Sequence, residues 1–136
     1  MADLSITAAS VIPDAGFTYR DLIAAGTLTA GQPVYIDSSN SNKATTASTT
    51  NATTANVVGI TLHGASVNQP IRVMTGGTYA VGAAVLVGVP YFNSDNAGGI
   101  AVLADSGTGD YVTVLFMAIS TTKGKLCITA SGGSKA

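Results

Sequence analysis

The sequence predicts an all-β fold: a compact antiparallel β-barrel or sandwich built from two similar hairpin units, with an extended N-terminal arm. Three observations predict it. Short runs rich in Val, Ile, Thr and Tyr alternate with turns containing Gly, Asn or Asp, helical periodicity is nearly absent, and one strand-turn-strand phrase is written twice. The phrase reads GTLTAGQPVYI at 26–36 and GTYAVGAAVLV at 77–87. Both copies keep Gly-Thr at the start (Gly26-Thr27, Gly77-Thr78), a glycine five residues on (Gly31, Gly82) and a Val-x-aliphatic step (Val34-Tyr35-Ile36, Val85-Leu86-Val87). The shared positions are turn glycines and strand apolars, not catalytic residue types. A duplicated β unit, two hairpins solving one packing problem, or chance in a chain rich in Gly, Thr, Ala and Val would each write such an echo.

A chain of 136 residues buries roughly two-thirds of its unfolded surface, enough for one core and no second domain. The expected organisation is an arm at 1–14, a single β domain at 15–130 and a flexible C-terminal tail at 131–136. The arm ends at the turn signal Pro13-Asp14-Ala15-Gly16, and its apolar residues Leu4, Ile6, Val11 and Ile12 are read as free to pair or dock elsewhere. Segments 17–22 and 27–36 supply the first body strands. In the first of these Tyr19, Asp21 and Ile23 alternate with Thr18, Arg20 and Leu22, so neither face is wholly apolar and a position at an edge or interface is expected. Residues 37–56, DSSNSNKATTASTTNATTAN, look too polar for a core; a solvent-facing hairpin with a mobile tip is expected.

Segments 56–62 and 69–75 make a hairpin around His63-Gly64-Ala65-Ser66-Val67-Asn68. A second hairpin, 99–104 with 110–120, overlays on it when Gly99-Ile100 is aligned with Gly59-Ile60, extending the duplication. In 111–120, Tyr111, Leu115, Met117 and Ile119 alternate with Val112, Val114, Phe116 and Ala118, so both faces need cover. Self-association, or a second sheet over an internal barrel wall, would supply it. The cluster Val89-Pro90-Tyr91-Phe92 reads as core or as a contact plug. Tyr91, Phe92, Tyr111 and Met117 are the candidate subunit-contact residues.

Composition narrows the function. Charged residues are 10% of the chain, against ~25% in an average domain, and the net charge is -1. Long-range steering is therefore weak, and partners would be held by apolar contact and neutral hydrogen bonds. Six basic residues spread over the chain do not make a phosphate-neutralising stripe, so no nucleic-acid partner is expected; Lys123 and Lys125 read as a solvated strand start. No apolar run approaches the ~20 residues of a membrane helix, and no secretory signal is visible at the start, so a protein made in a cytoplasm with no membrane partner is expected. Cys127 has no second cysteine and reads as a packing residue.

The chemistry is sparse. Glu and Trp are absent and His63 is the single histidine, with no nucleophile-elbow motif around any serine. Asp105 and Asp110 bracket Ser106-Gly107-Thr108-Gly109, which reads as a turn and not as a calcium loop. His63 reads as a surface or capping residue. No catalytic residue, metal site or cofactor is expected.

The segment AGTLTAGQPVYI, then the Ser/Thr-rich stretch, then NVVGITLHGASVNQPIRVMTGGTYAVGAAV resembles the head-decoration (capsid cement) proteins of tailed bacteriophages over roughly residues 25–119. The similar features are a Gly-x-x-Val phrase at Gly31 to Val34, a Val-Val-Gly-Ile strand at Val57 to Ile60 and a Gly-Gly-Thr turn at Gly76 to Thr78. The resemblance implies a non-enzymatic virion structural protein, made in the host cytoplasm and located on the outer capsid surface. Such a protein stabilises the capsid by binding the major capsid protein as a homo-oligomer, most often a homotrimer. On that reading Asp3, Leu4 and Ile6 of the arm are the candidate capsid contacts, and removing the first ten residues should leave a folded body that no longer attaches. Two alternatives stand beside it: a tail-tube or baseplate β component, and a carbohydrate-binding or adhesin module.

Overall fold

A computed structural model describes residues 3–135. The chain is all-β, one antiparallel sheet curled into a half-barrel. Its strands are β1 (Ile12–Pro13), β2 (Thr18–Ile23), β3 (Pro33–Asp37), β4 (Lys43–Thr46), β5 (Gly59–Thr61), β6 (Pro70–Ala80), β7 (Pro90–Asn93), β8 (Ile100–Val102), β9 (Tyr111–Ala118) and β10 (Lys123–Ser134). Short 3-10 turns at Ala8–Ser10, Ser38–Asn40 and Leu103–Asp105 punctuate them.

The organising strand is β6. One of its edges carries β1 and β2 in succession, from Ile12 opposite Ala80 to Ile23 opposite Pro70. The other edge is divided: β5 pairs with Val73 and Met74, and β10 pairs with Gly77 to Ala80. Two leaves therefore diverge from one strand, β5-β3-β4 and β10-β9-β7-β8. The divergence falls at Gly76-Gly77. Gly77 has φ +108° and lies against the Phe17 backbone, with 3.0 Å from a would-be Cβ to the Phe17 Cα. A side chain here would be strained and obstructed, and glycine removes both obstacles.

The main core lies between the leaves. It gathers Ile60 of β5, Met74 and Tyr79 of β6, Tyr91 of β7, Ile100 of β8, Leu115 and Phe116 of β9 and Leu126 of β10. Phe116 stacks on Tyr91 with ring centroids 5.0 Å apart and meets Tyr79 edge-on at 5.8 Å. Its ring covers Gly124, where an added methyl would overlap it. A second cluster, Ala24, Leu28, Val34, Ala44, Ala65, Ile71 and Val73, closes another part of the β2-β3-β4-β5-β6 region.

The β5–β6 hairpin forms as its alternation predicts, with Ile60 opposite Met74 and Thr61 opposite Val73. An edge position, one of the two expected for 17–22, is found, since among the described residues β2 pairs with β6 alone. The second expected hairpin does not form. β7 pairs with both β8 and β9 and so separates the segments expected to pair. The echoed phrases diverge likewise: 33–37 is a strand, whereas Val85-Leu86-Val87 lies in a loop.

The two faces expected of 111–120 are rearranged by a bulge. Tyr91 faces Phe116 and Phe92 faces Val114, so one residue of β9 is extra. A bulge turns consecutive side chains toward one side, and Leu115 and Phe116 are both fully buried. Most of the apolar content of β9 is thus satisfied within the chain.

The Ser/Thr-rich stretch is not a solvent-facing hairpin throughout. Ala44, Ala47, Ser48, Thr49 and Ala55 are buried. The Thr54 hydroxyl donates within reach of the Ser48 and Asn51 carbonyls, and the Asn51 side chain accepts from the Thr54 N–H. The Thr113 hydroxyl of β9 donates to the Ala55 carbonyl. Small polar residues enter an interior when local bonds satisfy them, which the expectation from polarity overlooked. The C-terminal boundary expected at 131 is likewise not a structural one: β10 runs to Ser134, and the Lys135 N–H donates to the Asp110 carbonyl at 2.7 Å.

Candidate functional site

The three residues expected to touch a capsid are tied to the chain's own body. The Asp3 carboxylate accepts from the Ser94 hydroxyl and from the Asn96 amide at 3.0 Å, folding the β7–β8 loop around itself. The Leu4 N–H donates to the Ile100 carbonyl at 2.8 Å, covering the edge of β8. Ile6 packs against the main core beside Leu4. The two echoed glycines, Gly31 (φ +88°) and Gly82 (φ +85°), both converge on Ile6 and Val11. The arm is therefore clasped between the two echoed turns, and its apolar residues were legible while their destination was not.

Of the expected subunit contacts, Tyr91 (3% exposed) and Phe92 belong to the interior. The Tyr91 hydroxyl accepts from the Leu86 N–H at 2.9 Å, which anchors the loop before β7. Tyr111 is half-buried, its N–H donating to the Thr49 carbonyl at 3.0 Å. Met117 alone of the four faces outward, at 38% exposure.

Met117 belongs to an apolar corner that the sequence reading missed. Leu86 is 67% exposed, Val87 60% and Ile119 49%. The Gly88 N–H donates to the Ala118 carbonyl at 2.8 Å and the Ala118 N–H to the Val89 carbonyl at 3.1 Å, laying this loop along the end of β9. Met117 then stands opposite Pro90 on one side and Lys125 on the other. The run Val85-Leu86-Val87 carried the hydrophobic signal, but alternation alone read it as a strand.

A groove opens where the leaves diverge. It is lined by Ile36 and Val58 on one side, Ala130 and Gly132 of β10 on the other, and Ala52, Thr53 and Asn56. No lining residue is charged.

Two surface ion pairs form among the described charged residues. Asp21 and Arg72 face each other across β2 and β6 in a two-pronged bond at 2.8 and 3.2 Å, with the guanidinium 3.9 Å from the centre of the Tyr19 ring. Hydrogen bonding from Arg72 holds the Asp21 carboxyl below its usual range. Lys123 pairs with Asp14 at 2.9 Å. His63 is a capping residue: Nε2 accepts from the Arg72 N–H at 3.1 Å, so Nδ1 donates to the Gly64 carbonyl at 2.9 Å. Asp110 accepts from the Gly107 N–H at 2.8 Å, closing the expected turn. Cys127 is exposed, not packed, because strand alternation turns Leu126 inward and Cys127 out. Among the described residues no three His, Cys or Asp side chains gather as a metal-binding group. Neither a protein-family profile nor any curated protein sequence matches the chain.

Proposed function

We propose that this is a non-enzymatic structural protein of a phage virion, which binds the outer surface of the assembled capsid and stabilises it as a homo-oligomer. The observation that carries the reading is the exposed apolar corner formed by Leu86, Val87, Met117 and Ile119 on a chain whose charged residues are only 10% of the total. Contiguous exposed apolar residues are the signature of protein contact surfaces, and a nearly neutral exterior lets many copies crowd on one lattice without strong repulsion. The resemblance of the 25–119 segment to capsid cement proteins supports the same reading. Subunit contact is assigned to this corner, with Met117 retained from the sequence reading and Tyr91 and Phe92 given up to the interior. Many weak contacts of an oligomer on a repeating shell add up to firm attachment.

The test is co-sedimentation with empty expanded and unexpanded capsids of the phage encoding the protein. Saturable binding to the expanded shell alone is the expected result. Absence of binding to either shell, with capture on a glycan array, would replace this reading by that of a carbohydrate-binding module.

A further inference from the structure

His63, the single histidine of the chain, stands where the β5–β6 ladder ends. The ladder pairs Thr61 with Val73, and the Leu62 N–H then donates to the Arg72 carbonyl at 3.1 Å. In a regular antiparallel pair the Arg72 N–H would return to the Leu62 carbonyl. It goes instead to His63 Nε2 at 3.1 Å, so the imidazole takes the place of a main-chain acceptor. The ring is committed to that role, because its Nδ1 lies 2.9 Å from the Gly64 carbonyl, which can only accept, and must therefore carry the proton. Asp21 of β2 and Arg72 of β6 line one pocket with His63, Pro70 and Ile71, and the Tyr19 ring of β2 lies against the guanidinium. Lys43 of β4 reaches the far end of the same loop, at the Asn68 side chain, at 2.6 Å.

We propose that the His63 imidazole is a pH-sensitive clasp on the end of the β5–β6 hairpin, closed while the ring is neutral and opened when the ring takes a proton. An imidazolium donates from both nitrogens and accepts at neither. A proton on Nε2 therefore meets the Arg72 N–H donor to donor, and the bond is lost. Imidazole is the side chain whose charge ordinarily changes between about pH 5 and 8. The neighbouring charges do not decide the outcome: Asp21 attracts an imidazolium and the Arg72 guanidinium repels it, and those two are already joined at 2.8 and 3.2 Å. What changes is the acceptor. The opening is local, because the loop beyond His63 keeps its own anchors. Ala65 and Leu28 exchange main-chain bonds at 2.8 and 3.0 Å, and the Asn68 N–H donates to the Ala24 carbonyl at 2.8 Å. None of this uses the apolar corner, so the clasp stands apart from the capsid reading.

The test follows two signals of the intact protein by NMR in the same samples, the His63 ring protons and the exchange of the Arg72 amide. The pH is lowered from about 8 until the ring resonances stop moving. After correction for the intrinsic pH dependence of amide exchange, protection of the Arg72 amide should fall by about fivefold in step with ring protonation, as loss of one ordinary hydrogen bond requires. The Leu28 and Ala65 amides should keep their protection throughout. His63→Ala removes the acceptor at an exposed position; it should show the low Arg72 protection at every pH and an unchanged melting transition. Arg72 protection that does not change as the ring is protonated overturns the proposal, and so does high protection in His63→Ala. A fall with pH that persists in His63→Ala assigns the effect to another group and also overturns it. Should the variant fail to fold, the wild-type titration decides alone.

Discussion

Tyr79 sits at the centre of the main core with its hydroxyl lacking a hydrogen-bond partner among the described residues. Burial pushes its phenol well above the usual range. The unfolded chain would release this proton near pH ~10, while the folded chain holds it. The associated stability is therefore complete below that pH and is lost as the pH rises above it. Tyr79→Phe should keep the edge-on contact with Phe116, raise stability by about 1 kcal/mol at neutral pH and reduce the alkaline loss, read by thermal denaturation at pH 7 and pH 11. Thr61 is the opposite case. Its buried hydroxyl donates to the Thr29 carbonyl at 2.6 Å and accepts from the Gln32 N–H at 2.9 Å, joining the turn before β3 to β5. Thr61→Val keeps the shape but orphans both backbone groups, and should cost about 2 kcal/mol in denaturant titration, with Thr61→Ser restoring most of it.

Among the elements, the arm changes most between sequence and structure. Leu4, Ile6 and Val11 complete the main core, and backbone bonds from Leu4 and Thr7 tie the segment to β8 and to the turn at Gly82. Truncation before Val11 should therefore destabilise the protein by about 3 kcal/mol or more, measured by chemical denaturation, instead of leaving a sound body. The clasp also ranks its two glycines. An added methyl at Gly82 would stand 2.7 Å from the Thr7 carbonyl oxygen, whereas at Gly31 it would meet the Ile6 side chain at 2.8 Å. Both positions have positive φ, but a side-chain terminus yields more easily than backbone. Gly82→Ala should lower the melting temperature more than Gly31→Ala, with costs of about 1–3 kcal/mol. The echoed phrases thus mark two turns converging on one segment, while their downstream halves take different conformations: 33–37 pairs between β4 and β5, whereas Val85 and Leu86 bond the Thr121 carbonyl and the Tyr91 hydroxyl.

For the whole molecule, the apolar corner and the low charge density make one joint prediction. On the proposed reading, light scattering should find an oligomer at micromolar concentration, and the double variant Leu86→Glu with Met117→Glu should be monomeric with an unchanged melting transition. Because attachment rests on apolar contact, raising salt from about 0.05 to 0.5 M should change the oligomer's dissociation constant by less than about threefold. A monomeric wild-type protein would remove the basis for the corner as a subunit contact.

By itself, the sequence determined the all-β class, the β5–β6 hairpin and the edge character of β2. These follow from local alternation, turn chemistry and the polarity of neighbouring side chains, all of which act over a few residues. Only the tertiary structure decided that the arm folds inward, that β7 divides the second hairpin, that Tyr91 and Phe92 are interior and that Leu86 and Val87 are exposed. Those outcomes depend on which distant strands share an edge, on a bulge in β9 and on the forking of β6. Alternation specifies that one face is apolar, but not which surface will cover it.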